Sequence, residues 1–175
     1  MSEVDTAHLQ TFHGYLKTLG DDARALAAVV EGGGEPERRF ATAALTYLFK
    51  SLDLIPDGVD DIGYCDDSFV FRVAMSQASA ANAATSDVAR RLSDESDVVR
   101  EFLGDIYPML DGYVKTLGRS SARGRSVDDV IAYDDIRTIF VSEVRAWADD
   151  YECPAFNGEA KTAARLRAFL RAKLA

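Results

Sequence analysis

Six aspartates fall within sixteen residues of this chain. The stretch from Leu52 to Asp67 reads Leu-Asp-Leu-Ile-Pro-Asp-Gly-Val-Asp-Asp-Ile-Gly-Tyr-Cys-Asp-Asp, and its acids are Asp53, Asp57, Asp60, Asp61, Asp66 and Asp67. Like charges within about 6 Å oppose one another unless a cation, an arginine or backbone N–H groups compensate. Clustered carboxylate oxygens suit hard cations, so a metal site here would take Mg²⁺, Ca²⁺ or Mn²⁺ with Asp53, Asp57, Asp66 and Asp67 as ligands, although a purely structural role for the motif is favoured. Pro56-Asp57-Gly58 signals a turn that folds the loop back and carries the first pair toward the second. The spacing is not that of an EF-hand, which alternates Asp or Asn around a central Gly and closes on a Glu. A plain structural role stands beside each assignment. Asp66 or Asp67 would cap a helix, and Asp57 would serve the turn. Asp53 would cap the broken backbone at Leu54-Ile55-Pro56 or pair with Arg38, Arg39 or Arg72, while Leu54 and Ile55 would fill the core.

Other chemistry is sparse. His8 and His13 lie five apart, off the spacing that puts two ligands on one helix face, and read as packing or solvated residues. Cys65 sits among carboxylates that disfavour its thiolate. No Gly-x-Ser-x-Gly, P-loop or Gly-x-Gly-x-x-Gly occurs, and Gly32-Gly33-Gly34 reads as a joint. With no His, Lys or Glu placed as a general acid or base near the loop, a metal-dependent hydrolase ranks last among the readings.

Ala44-Leu45-Thr46-Tyr47-Leu48-Phe49-Lys50-Ser51-Leu52-Asp53-Leu54-Ile55-Pro56-Asp57, followed by Ile62-Gly63-Tyr64 and Asp66-Asp67, resembles the YkvA family. Its hallmark is an apolar helix, Asp-Leu-Ile-Pro-Asp, a short loop with Gly, an Asp pair and a second apolar helix. Asp53, Leu54, Ile55, Pro56, Asp57, Gly63, Asp66 and Asp67 match, within residues 38–78. The resemblance implies a helical hairpin with Leu54, Ile55, Pro56 and Gly63 in structural roles; the family has no settled activity. Many relatives have helices apolar enough to look membrane-embedded, and this chain departs from them at Lys50, Arg72 and Gln77 and at Gly58-Val59-Asp60-Asp61.

The rest of the chain reads as the helices that hold this loop. Apolar residues recur at three and four in Leu9, Phe12, Leu16, Leu19; in Leu45, Leu48, Phe49, Leu52; in Val99, Phe102, Leu103, Ile106, Leu110; and in Ile136, Ile139, Phe140, Val144, Trp147. Helices are predicted over 4–19, 21–31, 36–51, 67–92, 96–118, 127–151 (with Tyr133-Asp134 as a place to break) and 159–174. Gly20 is the expected stop of the first, Pro36 the first turn of the third, and Ser93, Ser96 and Ser126 the expected N-caps. Ala78 to Ala84 is small and featureless, suited to close packing or a subunit contact. Gly14-Tyr15-Leu16-Lys17-Thr18-Leu19-Gly20 returns as Gly112-Tyr113-Val114-Lys115-Thr116-Leu117-Gly118, and two helices ending on one stop signal is favoured over duplication.

The fold class expected is therefore all-α, a single compact bundle of six or seven helices over residues 1–175, built around a central helix–acidic loop–helix hairpin. The chain has 20 Lys and Arg against 29 Asp and Glu, a formal charge of −9. That argues against nucleic acid and anionic membranes as partners. No signal peptide is visible, no apolar run is long enough to span a bilayer, and two cysteines make no disulfide framework. The expected location is the cytoplasm. The final helix carries Lys161, Arg165, Arg167, Arg171 and Lys173, set either in water or against the acidic loop or an acidic partner. The leading functional expectation is a non-enzymatic helical adaptor that binds a protein, itself included. The alternative is a divalent-cation-binding domain.

Overall fold

The first apolar stripe does not stop at Gly20. In the computed structural model, which describes residues 2–175 except Asp60, it runs on through Ala23, Leu26, Ala27 and Val30. The result is one helix, α1, Glu3–Gly32, capped by Ser2, whose hydroxyl accepts the Asp5 N–H at 3.0 Å. Gly20 is instead a point of close packing. A Cβ there would lie 3.4 Å from both the Ala148 carbonyl oxygen and the Tyr151 ring. A glycine read as a helix stop is therefore a helix crossing. Gly118, its counterpart in the repeated heptapeptide, does end a helix, so the two copies hold different positions in the fold.

After the Gly33-Gly34 joint, α2 spans Glu35–Thr46 with Pro36 in its first turn, and a 3-10 turn follows at Tyr47–Phe49. The acidic loop leads to α3, Cys65–Ala80. Residues 65 to 75 of α3 are buried without a break, as expected of a helix enclosed on all sides. It packs against α1, α2, α4 and α5, so the hairpin of α2, loop and α3 sits at the centre, as the sequence predicts.

The long helix expected over 67–92 is two. Asn82 takes a left-handed turn (φ 57°), and α4 begins at Asp87 with Ser86 as its N-cap. Buried Glu37 holds this junction, accepting the backbone N–H groups of Thr85 (3.0 Å) and Ser86 (3.1 Å). Ser93 and Ser96 therefore lie inside α4, not at N-caps. Helix α4 ends at Leu103, Gly104 turns with φ 54°, and a 3-10 turn over Gly104–Ile106 leads into α5, Tyr107–Leu117. A ribbon then forms, β1 (Ser121–Ala122) antiparallel to β2 (Arg125–Ser126), closed by Arg123 and Gly124 at positive φ. Ser126 caps α6, Val127–Ala132, in a reciprocal capping box with Asp129. The chain breaks at Tyr133, at the expected place, and continues as α7, Asp134–Asp150, and α8, Ala160–Leu174.

The fold is all-α: seven helices of eleven residues or more, with the six-residue α6 as an eighth among the described residues. The predicted stripes form its core, with Leu48 and Phe49 among the partly buried residues at its edge. Leu52 and Ile139 are exposed, and Ile136 and Trp147 are only partly buried. Leu52 leaves the stripe because α2 and its 3-10 turn end at Phe49, before the helical period reaches it. No helix among the described residues is long and apolar enough to cross a membrane.

Candidate functional site

Tyr47 is where the hairpin is tied. Its hydroxyl donates to the Asp66 carboxylate and accepts the Leu54 N–H at 2.7 Å. The same Asp66 oxygen accepts the Ile55 N–H at 3.2 Å. Two backbone donors left stranded where the 3-10 turn ends are thus satisfied from within the hairpin, which lets Leu54 and Ile55 drop into the core. The loop then winds tightly: the Val59 N–H reaches the Pro56 carbonyl and the Gly63 N–H reaches the Val59 carbonyl, at 3.0 and 2.9 Å. Asp61 and Tyr64 both adopt left-handed φ, 71° and 66°. Gly63 lies between them, where a Cβ would fall 2.2 Å from the Asp57 carbonyl oxygen. Its place in the motif is a steric requirement.

The candidate ligands separate by depth. Asp66 and Asp67 are fully buried at the second and third positions of α3, Asp53 is half-buried, and Asp57 is exposed on the turn. Asp60 lies outside the described residues. The capping role expected of Asp66 or Asp67 is not what is found, because the α3 N-cap is Tyr64 and it makes no side-chain cap bond. Nor does Asp53 pair with Arg39 or Arg72. Arg39 bonds Asp128 at 2.7 Å. Arg72, itself buried, lies 3.5 Å over the Tyr15 ring and donates to Glu95, Asp22 and the Ser68 carbonyl. Arg91 completes that network on Asp22 at 2.5 Å. The cation on α3 thus serves α1 and α4 rather than the acidic loop. Of the loop acids, Asp61 meets Arg165 of α8 at 3.9 Å. The other basic residues of α8 that bond acids do so with Glu159, Asp5 and Asp105, in the protein itself.

Among the described residues, Asp53, Asp57, Asp66 and Asp67 have no ion pair. Burial therefore acts on them unopposed by any cation. Desolvation, then Asp57 and Asp66, push the Asp53 carboxyl up to about 7. Desolvation raises Asp66 to about 6 against the hydrogen bonds from Tyr47 and Ile55. Asp67 is raised well above the carboxylate range by burial and by Asp66, whose carboxyl lies within hydrogen-bond reach, then by Asp57 and Asp53. Desolvation also raises Asp57. The same negative field, after burial, raises the surrounding phenols: Tyr64, and Tyr113 to about 12. One oxygen each of Asp53, Asp66 and Asp67 is buried without any hydrogen-bond partner, half of the six such side-chain atoms among the described residues.

These carboxyls share a field, yet they are not a finished ligand set. Among the described residues no three His, Cys, Asp or Glu side chains are gathered to hold a metal ion. Two shallow clefts flank the hairpin. One is lined by Asp57, Asp61 and Pro154, the other by Phe49, Leu52 and Arg123, and Asp53, Asp66 and Asp67 line neither. No residue pattern along the chain points to a proton-transfer group here. A carboxyl near neutral pKa supplies one, but the deepest carboxyls do not face a cleft. Tyr47 and Tyr113 were missed as members of the site. Both are aromatic residues on helices, where the helical period marks packing and says nothing of a hydroxyl.

Other candidates settle as packing. His8 lies against Phe12 and Phe102, and His13 stacks on Phe156. Cys65 is buried, and desolvation, then Asp66 and Asp67, push its thiol up. Comparison with family models, curated proteins and solved structures finds no match for this chain.

Proposed function

We propose that this chain is a non-enzymatic helical module whose acidic hairpin takes up a divalent cation. One observation carries the reading: three carboxylate oxygens, on Asp53, Asp66 and Asp67, are buried without a donor. A buried carboxylate without a partner is unfavourable, and two states relieve it. Protons do so at low pH, and a hard cation does so at neutral pH. Mg²⁺, Ca²⁺ or Mn²⁺ suits an all-oxygen set. Uptake has to move the loop, because the carboxylates are not gathered beforehand. Exposed Asp57, on the Pro56-Asp57-Gly58 turn, is the ligand with room to move. The likeness to the YkvA motif lies in these same residues, and a cytoplasmic location agrees with the two free thiols.

The test is a thermal melt of chelator-treated protein at pH 7.5 with each of Mg²⁺, Ca²⁺, Mn²⁺ and Zn²⁺. A cation at a hundred times its dissociation constant stabilises the fold by about 2.7 kcal/mol. The expected result is a rise with a hard cation that Asp67→Asn abolishes while the variant stays folded. No rise with any cation refutes the proposal, as does a rise that Asp53→Asn, Asp57→Asn and Asp67→Asn all leave intact.

A protein partner is the second reading, and Leu52 favours it. This leucine is 83% exposed at the rim of the cleft that Phe49, Ala122 and Arg123 line. An adaptor, or a pair of identical chains, would bury it. Sedimentation of the wild type beside Leu52→Asp tests the homo-oligomer. A concentration-dependent dimer lost in the variant supports it, and a monomer in both removes it.

A further inference from the structure

A cavity of about 260 Å³ opens between α2, α3 and α5. Its floor is apolar: Phe40 and Ala43 from α2, Ala74 from α3 and Val114 from α5. Its rim is basic in a protein of net charge −9, with Arg39, Lys115 and Arg119 all lining it. Two carboxylates lie at this rim. Asp128 holds Arg39 at 2.7 Å, and Asp111 holds Lys115 at 3.0 Å. Asp111 also accepts the Gln77 amide through its side chain and its carbonyl, both at 2.9 Å, which fixes Gln77 in the wall. Arg119 makes no side-chain bond among the described residues. Two further depressions adjoin the cavity across Lys115, one of them reaching Arg100. Three cations against two carboxylates leave one positive charge over an apolar floor.

We propose that this cavity binds a small amphiphilic anion, with a carboxylate or phosphate-monoester head on Arg119 and Lys115 and a short hydrocarbon body on Phe40, Ala43 and Val114. The chemistry follows from the lining. An arginine presents a planar fork that fits either head in two hydrogen bonds. The volume lies below the roughly 300–1,000 Å³ of clefts for drug-sized ligands, which selects a short body over a long lipid chain. None of its lining residues is one of the four carboxylates Asp53, Asp57, Asp66 and Asp67, so it stands or falls independently of the cation reading.

The experiment is calorimetric titration of the full chain with octanoate, octyl phosphate, octanol and octylamine. At least one anion is expected to bind, with octanol and octylamine at least tenfold weaker; the tighter anion identifies the head. Arg119→Ala is expected to weaken that anion about tenfold, whereas Arg90→Ala, at an exposed arginine on α4, leaves it unchanged. Gly118→Leu, at a position whose Cβ meets nothing closer than 3.8 Å, adds bulk at the rim without disturbing the core and is expected to weaken every ligand. The proposal is overturned if neither anion binds, if octanol binds as tightly, or if Arg90→Ala weakens binding as much as Arg119→Ala.

Discussion

One hydroxyl oxygen joins two segments of the hairpin. Tyr47 donates to Asp66 and accepts from the Leu54 N–H, so Tyr47→Phe removes both bonds and strands a buried N–H. An unsatisfied buried donor costs about 1–3 kcal/mol. The expected outcome is a loss of that size in denaturant titration, with faster amide exchange at Leu54 than at Ile55, whose Asp66 partner remains. Asp67 points the other way. Its carboxyl lies beside Asp66 and has an oxygen without a donor. Asp67→Asn supplies an N–H where a proton was otherwise needed. It is expected to raise the melting temperature at pH 8 and to change it little at pH 5, as two scans would show.

At the scale of elements, the loop is held by backbone closeness. Gly63→Ala forces a methyl to within 2.2 Å of the Asp57 carbonyl oxygen, so the winding must open. Overpacking of this kind costs about 1–3 kcal/mol. Gly58, in the same loop, has nothing within 4 Å of its Cβ, and Gly58→Ala is expected to fall within about 0.5 kcal/mol of the parent. Equal losses from the two glycines, measured by urea titration, would remove the steric account of Gly63. The same reasoning applies at the crossing of α1 and α7, where Gly20 meets Ala148 and Tyr151.

Across the whole molecule two electrostatic arrangements oppose each other. The Arg72 network pairs its buried charges with Asp22, Glu95 and Arg91. Removing the cation with Arg72→Met leaves buried Asp22 with the Thr18 hydroxyl and Arg91, and breaking a buried pair costs about 3–5 kcal/mol. The hairpin instead holds its acids without a cation, and its carboxyls are raised above the 3.8 of an ordinary aspartate, Asp66 to about 6 and Asp53 to about 7. A group raised on folding stabilises fully below its unfolded value and loses that contribution as pH climbs through its folded value. Without added cation, stability is therefore expected to fall from about pH 4 to about pH 7, by up to about 1.4 kcal/mol per pH unit for each proton kept. Below about pH 4 the sign reverses. Asp5 and Glu37 are held low by Arg167 and by the Ser86 and Thr85 donors respectively, and their contributions are lost on protonation. A melting profile from pH 3 to 9 should peak near pH 4, and a hard cation should flatten its neutral limb. A profile that rises from pH 5 to 8 would show that the hairpin carboxyls are ionised in the fold without help.

The sequence by itself determined the helical class, because apolar residues recur at the helical period across most of the chain. It also singled out the acidic loop, placed Leu54 and Ile55 in the core and located the break at Tyr133. These are local properties, written in neighbours three or four residues apart. It failed where a local signal had a distant cause. Gly20 carries the mark of a helix end, but it is glycine because α7 crosses there. The junction before α4 lacks Gly and Pro and is held by Glu37 from another helix. Tertiary structure alone decided the electrostatics. It sent Arg72 to Asp22 and Glu95, 50 and 23 residues away, and left Asp53, Asp66 and Asp67 without a donor on one oxygen each. Whether a carboxylate is compensated depends on what the fold brings within a few ångströms of it, and no spacing along the chain records that.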